Sequence, residues 1–154
     1  MPWLMKSEPE SYSIDALAKD KKTRWTGVRN YLARNLMREM KVGDLVVFYH
    51  SNANPAGVAG LAKVSALPAP DETQFDAKSD YFDPKATRAK PIWECVEIAF
   101  AAKAKQFVPL DELRAVPGLD GLELLRKGSR LSVQPVSAAH LAILAKLAGL
   151  PTKA

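Results

Sequence analysis

Two rhythms alternate along the 154-residue chain: short apolar runs closed by turn-forming residues, and apolar positions recurring every three or four. The first predicts strands and the second amphipathic helices. "PWLMK" at 2–6 reads as a strand, stopped by the turn-prone "SEPES". "SIDALAKD" predicts a short helix capped by Ser13. Over 27–40, "GVRNYLARNLMREM" places Val28, Leu32, Leu36 and Met40 at every fourth position, with Arg34 and Arg38 on the other side, which predicts a helix. "KVGDLVVFYH" predicts a turn and a strand, and "GVAGLAKVSAL" at 57–67 a second, mostly buried strand, joined through "SNANPA" as a wide hairpin. Gly60 in that strand marks a bulge or a close approach.

Residues 68–91, rich in proline, aspartate and lysine, read as a long ordered excursion over the surface, the kind of loop that often carries function. "IWECVEIAF" alternates as a strand does, as does "RLSVQPV", and between them "PLDELRAV" and "LDGLELLRKG" predict two short helices. The last helix is the best defined: Ser137 caps it, Leu141, Leu144 and Leu147 form its stripe, and Gly149 before Leu150 and Pro151 supplies a left-handed stop. Strands interleaved irregularly with short helices predict a small α+β, barrel-like domain. The strict βαβ alternation of a doubly wound sheet is missing.

Composition narrows the picture. At this length one domain buries a full core without metal or disulfide staples. A single cysteine, Cys95, excludes an internal disulfide and fits a reducing compartment; within "IWECVEI" it reads as a buried, inert thiol. "MPWLMKSEPE" has neither a basic leader nor a signal-peptide apolar stretch. No run approaches the roughly 18 apolar residues that span a bilayer, so a soluble, cytoplasmic protein is expected. The net charge is only +5, yet residues 19–41 hold eight basic residues against two acidic ones. A localised positive face attracts polyanions, nucleic acid above all.

The stretch "FYHSNANP" sets histidine beside serine where a strand ends. Neighbouring side chains on an extended chain point to opposite faces, so His50 and Ser51 are poorly placed to act as base and nucleophile. A G-x-S-x-G elbow is absent, and so are a Walker loop and a dinucleotide-binding loop. Two histidines ninety residues apart and one strand cysteine give no metal-ligand spacing. The carboxylate pairs at 71–72 and 111–112 read as solvated faces and helix starts. What remains is polar and aromatic residues at element ends, which suit recognition of a planar heterocycle. Taken singly, each also has a plain structural role: Trp25 in a core, Tyr49 on a strand, Arg130 paired with Glu8 or Glu94.

Six segments together resemble one family. "WLMKSEP", "WTGVRNYLARN", "VGDLVVFYHS", "GVAGLAKV", "YFDPKAT" and "RLSVQPV" occur in the order found in the EVE domain, a member of the PUA-like group. The resemblance runs from about Trp3 to about Val136, with Ile92 and Phe82 as small departures. It implies an α+β fold, a PUA-like β pseudobarrel of about five to six strands surrounded by short helices, as a single domain over 1–154. Relatives of this fold, YTH and SRA domains among them, hold a modified nucleobase turned out of its strand. The implied role is a non-catalytic reader of a modified base in DNA or RNA, monomeric, with no cofactor, metal or membrane. Carried onto this chain, the pocket residues are Lys6, Ser7, Trp25, Arg29, Asn30, Tyr49, His50, Ser51, Tyr81, Arg130 and Ser132. Lys21, Lys22, Arg24, Arg34 and Arg38 form the phosphate-contacting face. The base is expected to stack on Trp25 or Tyr49 while Ser7, Asn30 and Ser51 bond its edge. Two alternatives stay open: an enzyme acting on nucleotides or small amides with His50 or Lys6 as base, and a sensor of a free small molecule.

Overall fold

Two parallel strands ending side by side organise the structure. β1 (Trp3–Ser7) lies in parallel register with β3 (Leu45–His50), Ser7 level with His50 and Lys6 level with Tyr49. They belong to a six-stranded sheet in the order β2 (Lys22–Arg24), β5 (Glu94–Pro109), β4 (Gly57–Pro70), β3, β1, β6 (Val133–Pro135), with every other pairing antiparallel. Helices α1 (Ile14–Asp20), α2 (Tyr31–Arg38), α3 (Leu110–Arg114) and α4 (Ala138–Ala148) and two 3-10 turns, Glu72–Phe75 and Glu123–Leu125, complete the fold. The computed structural model describes residues 1–152; Lys153 and Ala154, the last two of the expected domain, lie outside the described residues. The sheet is open, with β2 and β6 as edges. Register shifts at four places between β4 and β5, and at one between β3 and β4, bend these strands. The α+β architecture is compatible with a PUA-like pseudobarrel.

Side chains alternate across a strand, so the sheet divides the core in two. Trp3, Met5, Val46 and Phe48 pack with α1 and α2 through Ile14, Leu17, Ala33 and Met37, and with Trp25 and Ile98. Leu4, Val47 and Tyr49 pack the other way, with Leu113, Leu119, Leu122 and the α4 residues Leu141, Leu144, Ala145 and Ala148. Gly60 lies at a register shift and permits a close approach: a Cβ there would stand 2.5 Å from Ile14 Cδ1 and 2.7 Å from Ala102 O. Ser13 and Ser137 cap α1 and α4, and Gly149 ends α4 at φ +67°.

Four expectations are corrected. The helix expected from residue 27 begins at Tyr31, because Gly27 sits at φ +88° and Asn30 is extended, accepting a hydrogen bond from Ala33 N–H as the N-cap. Val28 therefore precedes the helix, Ala33 and Met37 are the buried positions, and Leu32 is 57 % exposed. The strand expected to stop at Phe100 runs on to Pro109, and β2 forms where only a basic run was read. Asp71, read as part of a solvated pair, is 0 % exposed, although it does open the 3-10 turn by accepting from Thr73 N–H.

Candidate base pocket and nucleic-acid interface

Register and alternation sort the expected pocket residues. Ser7 and His50 continue the face that carries Met5 and Phe48, whereas Lys6 and Tyr49 continue the opposite one. On the first face a row of rings runs from Trp25 to Phe48 (5.6 Å between centroids, edge-on), from Phe48 to His50 (5.8 Å) and from His50 to Phe107 (6.3 Å). Polar groups lock this end of the sheet to α1. Ser7 Oγ donates to Tyr12 O at 2.6 Å, and His50 Nε2 accepts from Ile14 N–H at 3.1 Å. Ser51 N–H donates to Ser7 O at 2.9 Å, and Asn52 Nδ2 donates to Glu8 Oε1 at 2.6 Å. An imidazole accepting at Nε2 is neutral with its proton on Nδ1. Burial holds its pKa below the ordinary histidine value, with Asp15 opposing and Lys103 reinforcing the shift.

Trp25 differs from the other two tryptophans. Trp3 and Trp93 donate their indole N–H groups to Asp44 (2.9 Å) and Asp83 (2.8 Å), while Trp25 donates to no described residue. The one buried side-chain polar atom without a partner among the described residues is Gln134 Oε1, so the Trp25 N–H reaches the surface. The ring itself is only 8 % exposed. It thus offers an edge with a free donor, not the open face that was expected to carry stacking. Tyr49, the other expected platform, is 2 % exposed in the opposite core. Burial raises its pKa, with Arg114 opposing.

The segment after Trp25 is held by a partly buried ion pair between Arg29 and the buried Asp71. All five guanidinium N–H groups of Arg29 are engaged: with Asp71 Oδ2 (3.1 Å), Thr73 Oγ1 (3.0 Å), Val28 O (2.9 Å) and Tyr81 O twice (2.7 and 3.0 Å). Burial acts to raise the Asp71 pKa, but hydrogen bonds from the Thr73 hydroxyl, from Gly27 N–H at 2.8 Å and from Arg29 outweigh it and hold the carboxyl below the usual range. Arg29 therefore has no free donor for a base edge; it positions the 71–83 excursion against the Trp25–Asn30 turn. Asn30 uses Oδ1 as cap, and its amide Nδ2 bonds no described residue. Gly27 is irreplaceable on two counts, its φ of +88° and the Tyr81 ring, three atoms of which would lie 2.7–3.0 Å from a Cβ. No sequence signal points from Arg29 to Asp71: the burial that makes the guanidinium need a carboxylate exists only in the fold.

Other expected residues lie apart. Burial lowers the Lys6 pKa, with Glu123 opposing, on the side away from Trp25. Ser132 meets β1 by its backbone, accepting from Lys6 N–H at 2.9 Å. Arg130 is exposed and forms no ion pair among the described residues; Glu8 and Glu94 bond Asn52 and Arg38 instead. On the basic face, Arg38 pairs with Glu94 and Lys22 lies 3.9 Å from Glu97. Arg34 donates to Ile92 O at 2.9 Å and lies 4.9 Å over the Tyr31 ring, which packs on Trp93. Lys21 and Arg24 are exposed and form no ion pair among the described residues.

The model of the EVE domain matches residues 2–147. The chain belongs to the EVE domain family. Human thymocyte nuclear protein 1 (THYN1) is 40% identical over 153 residues, a span that covers 88% of this EVE chain and 68% of the human one. A crystal structure of a Pseudomonas putida protein aligns with TM-score 0.93 at 45% identity, covering 96% of this chain and 99% of that one. The crystal structure of human THYN1 protein in complex with 5-methylcytosine containing DNA aligns with TM-score 0.89 at 38% identity, over 94% of this chain and 95% of that one. Among the described residues no helix is long and apolar enough to cross a membrane.

Proposed function

We propose that this EVE domain is a non-catalytic reader that holds a modified base, 5-methylcytosine in the first instance, turned out of a nucleic-acid strand. The observation that carries the reading is its likeness to a protein crystallised with 5-methylcytosine containing DNA. Local chemistry supports it. The Trp25 N–H, the Asn30 amide and the Ser51 hydroxyl are polar groups with no partner among the described residues, and an aromatic row runs from Trp25 through Phe48 to His50, which precedes Ser51. Trp25 presents its edge, so the base meets a hydrogen-bond donor first and lies against the ring only after the covering residues give way. Extruding a base costs a few kcal/mol, and a methyl in a fitted pocket contributes about 1–3 kcal/mol of selectivity. His50 positions α1 and is no base, because its Nε2 lone pair already accepts from Ile14 N–H. Lys21, Arg24 and Arg34 contact phosphates, with Lys22 and Arg38 contributing less because carboxylates pair with them. The domain acts as a monomer in the cytoplasm, a compartment suited to its one buried thiol.

The test is a titration of single-stranded and duplex DNA and RNA, each with 5-methylcytosine or cytosine at one position. The protein is expected to favour a methylated strand, and Trp25→Phe, which removes the N–H and keeps a ring, to weaken that strand about five- to tenfold. Equal affinity for methylated and unmethylated strands, or an unchanged Trp25→Phe variant, refutes the reading.

A further inference from the structure

At the rim of this site two aromatic rings stand in solvent on a fixed backbone. Tyr81 and Phe82 are 45% and 40% exposed. Their backbone is fixed: Tyr81 O accepts twice from Arg29, Tyr81 N–H donates to Ser79 Oγ (3.1 Å), and Phe82 N–H donates to Ser79 O (3.2 Å). The Tyr81 ring has one covered face. Three of its carbons, and not the phenol oxygen, are the atoms nearest the Cβ position of Gly27, so the glycine backs onto the plane of the ring. The Arg29 guanidinium carbon lies 5.6 Å from the ring centroid. A ring braced by the Gly27 backbone and still 45% exposed offers area on which a base can stack.

We propose that Tyr81, with Phe82 beside it, stacks on a base neighbouring the one held at Trp25. The inference rests on the reader function above and supplies what the Trp25 edge lacks, a flat face. The reach is right. Gly27 is two residues from Trp25, so their Cα atoms lie within about 7.6 Å. Adding the ring contact gives about 12 Å, and bases along one strand are spaced about 3.4 Å, so the platform meets a nucleotide no more than about three steps away. Extruding a base breaks the stack on both sides, and an inserted aromatic ring restores one contact.

The test compares a short single-stranded DNA bearing one 5-methylcytosine with the same strand made abasic at the neighbouring positions, by fluorescence anisotropy. The wild type is expected to bind the intact strand about tenfold more tightly than the abasic-flanked one. Tyr81→Ala is expected to lose about tenfold on the intact strand and nothing on the abasic one, with Tyr81→Phe restoring the difference. Equal losses of Tyr81→Ala on both strands mean that Tyr81 only supports the Trp25 turn, and overturn the inference. So does a wild type indifferent to the abasic sites, a measurement that needs no variant. If the wild type still prefers 5-methylcytosine to cytosine in either case, the reader function stands and only the platform falls. Indifference to the methyl group removes both.

Discussion

Arg29, expected at the base, instead engages every one of its donors inside the protein, so its replacement should act on folding. In Arg29→Met the aliphatic bulk stays and the charge goes, leaving Asp71, 0% exposed, without its cation. Breaking a buried pair by removing one partner costs about 3–5 kcal/mol. The low end applies, because Gly27 N–H and Thr73 N–H still donate to the carboxylate at 2.8 and 2.9 Å. A loss of about 3 kcal/mol, at about 2–4 °C per kcal/mol for a domain of this size, lowers Tm by about 6–12 °C. Acid gives a second readout. The Asp71 pKa is depressed in the folded state, so its stabilisation is full above the ordinary carboxylate value and is lost as the pH falls through the folded one. Part of that depression comes from Arg29, so the gap between wild type and variant should narrow as the pH falls below about 4. Thermal melts by circular dichroism across that range check both points. A gap below about 1 kcal/mol at pH 7, or one that stays constant into acid, contradicts the clamp and makes Arg29 a candidate base contact again.

Three further changes test other parts of the structure. His50→Gln should flatten the pH dependence of stability: burial holds the imidazole pKa down, so the unfolded chain takes up the proton first and wild-type stability falls as the pH drops below about 6.5. Urea midpoints between about pH 5 and 8 measure this, and an equally steep variant removes the neutral-acceptor role. Gly60→Ala should cost about 1–3 kcal/mol in denaturant unfolding, because the new methyl would meet Ile14 Cδ1 at 2.5 Å and the Ala102 carbonyl at 2.7 Å. Lys21→Glu with Arg24→Glu should weaken all oligonucleotides alike and reduce the log–log salt slope by about 0.7–0.9 for each phosphate no longer neutralised; a sequence-selective weakening would place these residues at bases.

The fold was legible where local chemistry decides it. Ser13, Ser137 and Gly149 stand in the structure where capping rules place them, because a cap depends on a few adjacent backbone groups. The stripe on α2 misled because its phase was counted from Val28, which precedes the N-cap Asn30 and obeys no helical period. The far half of β5, "AAKAKQFVP", has too few β-branched residues to read as a strand; its pairing with β4 holds it there. Candidate residues were legible as a set but not by face. Only the parallel register of β1 and β3 shows that Ser7 and His50 look one way and Lys6 and Tyr49 the other. The Arg29–Asp71 pair joins residues 42 apart, and no spacing rule connects them.

This division by face also separates affinity from selectivity. Phosphate contacts and an outer stacking ring act on any strand, so they raise the affinity for methylated and unmethylated sequences by the same factor. Selectivity has to arise where the methyl lies, and the neighbourhood of Trp25 qualifies because its donors have fixed positions: Asn30 is bound into the α2 cap and the turn itself is held by Asp71. A mobile donor would follow the base and fail to register a displacement of one methyl. On the proposed reading, the five bonds of Arg29 serve recognition without touching the ligand, by keeping the Trp25–Asn30 turn from adjusting. It follows that a loosened clamp should lower the affinity for 5-methylcytosine by a larger factor than that for cytosine, and so lower their ratio. Truncation at Tyr81 should lower both affinities by the same factor and leave the ratio unchanged, and that contrast is measurable with the same strands.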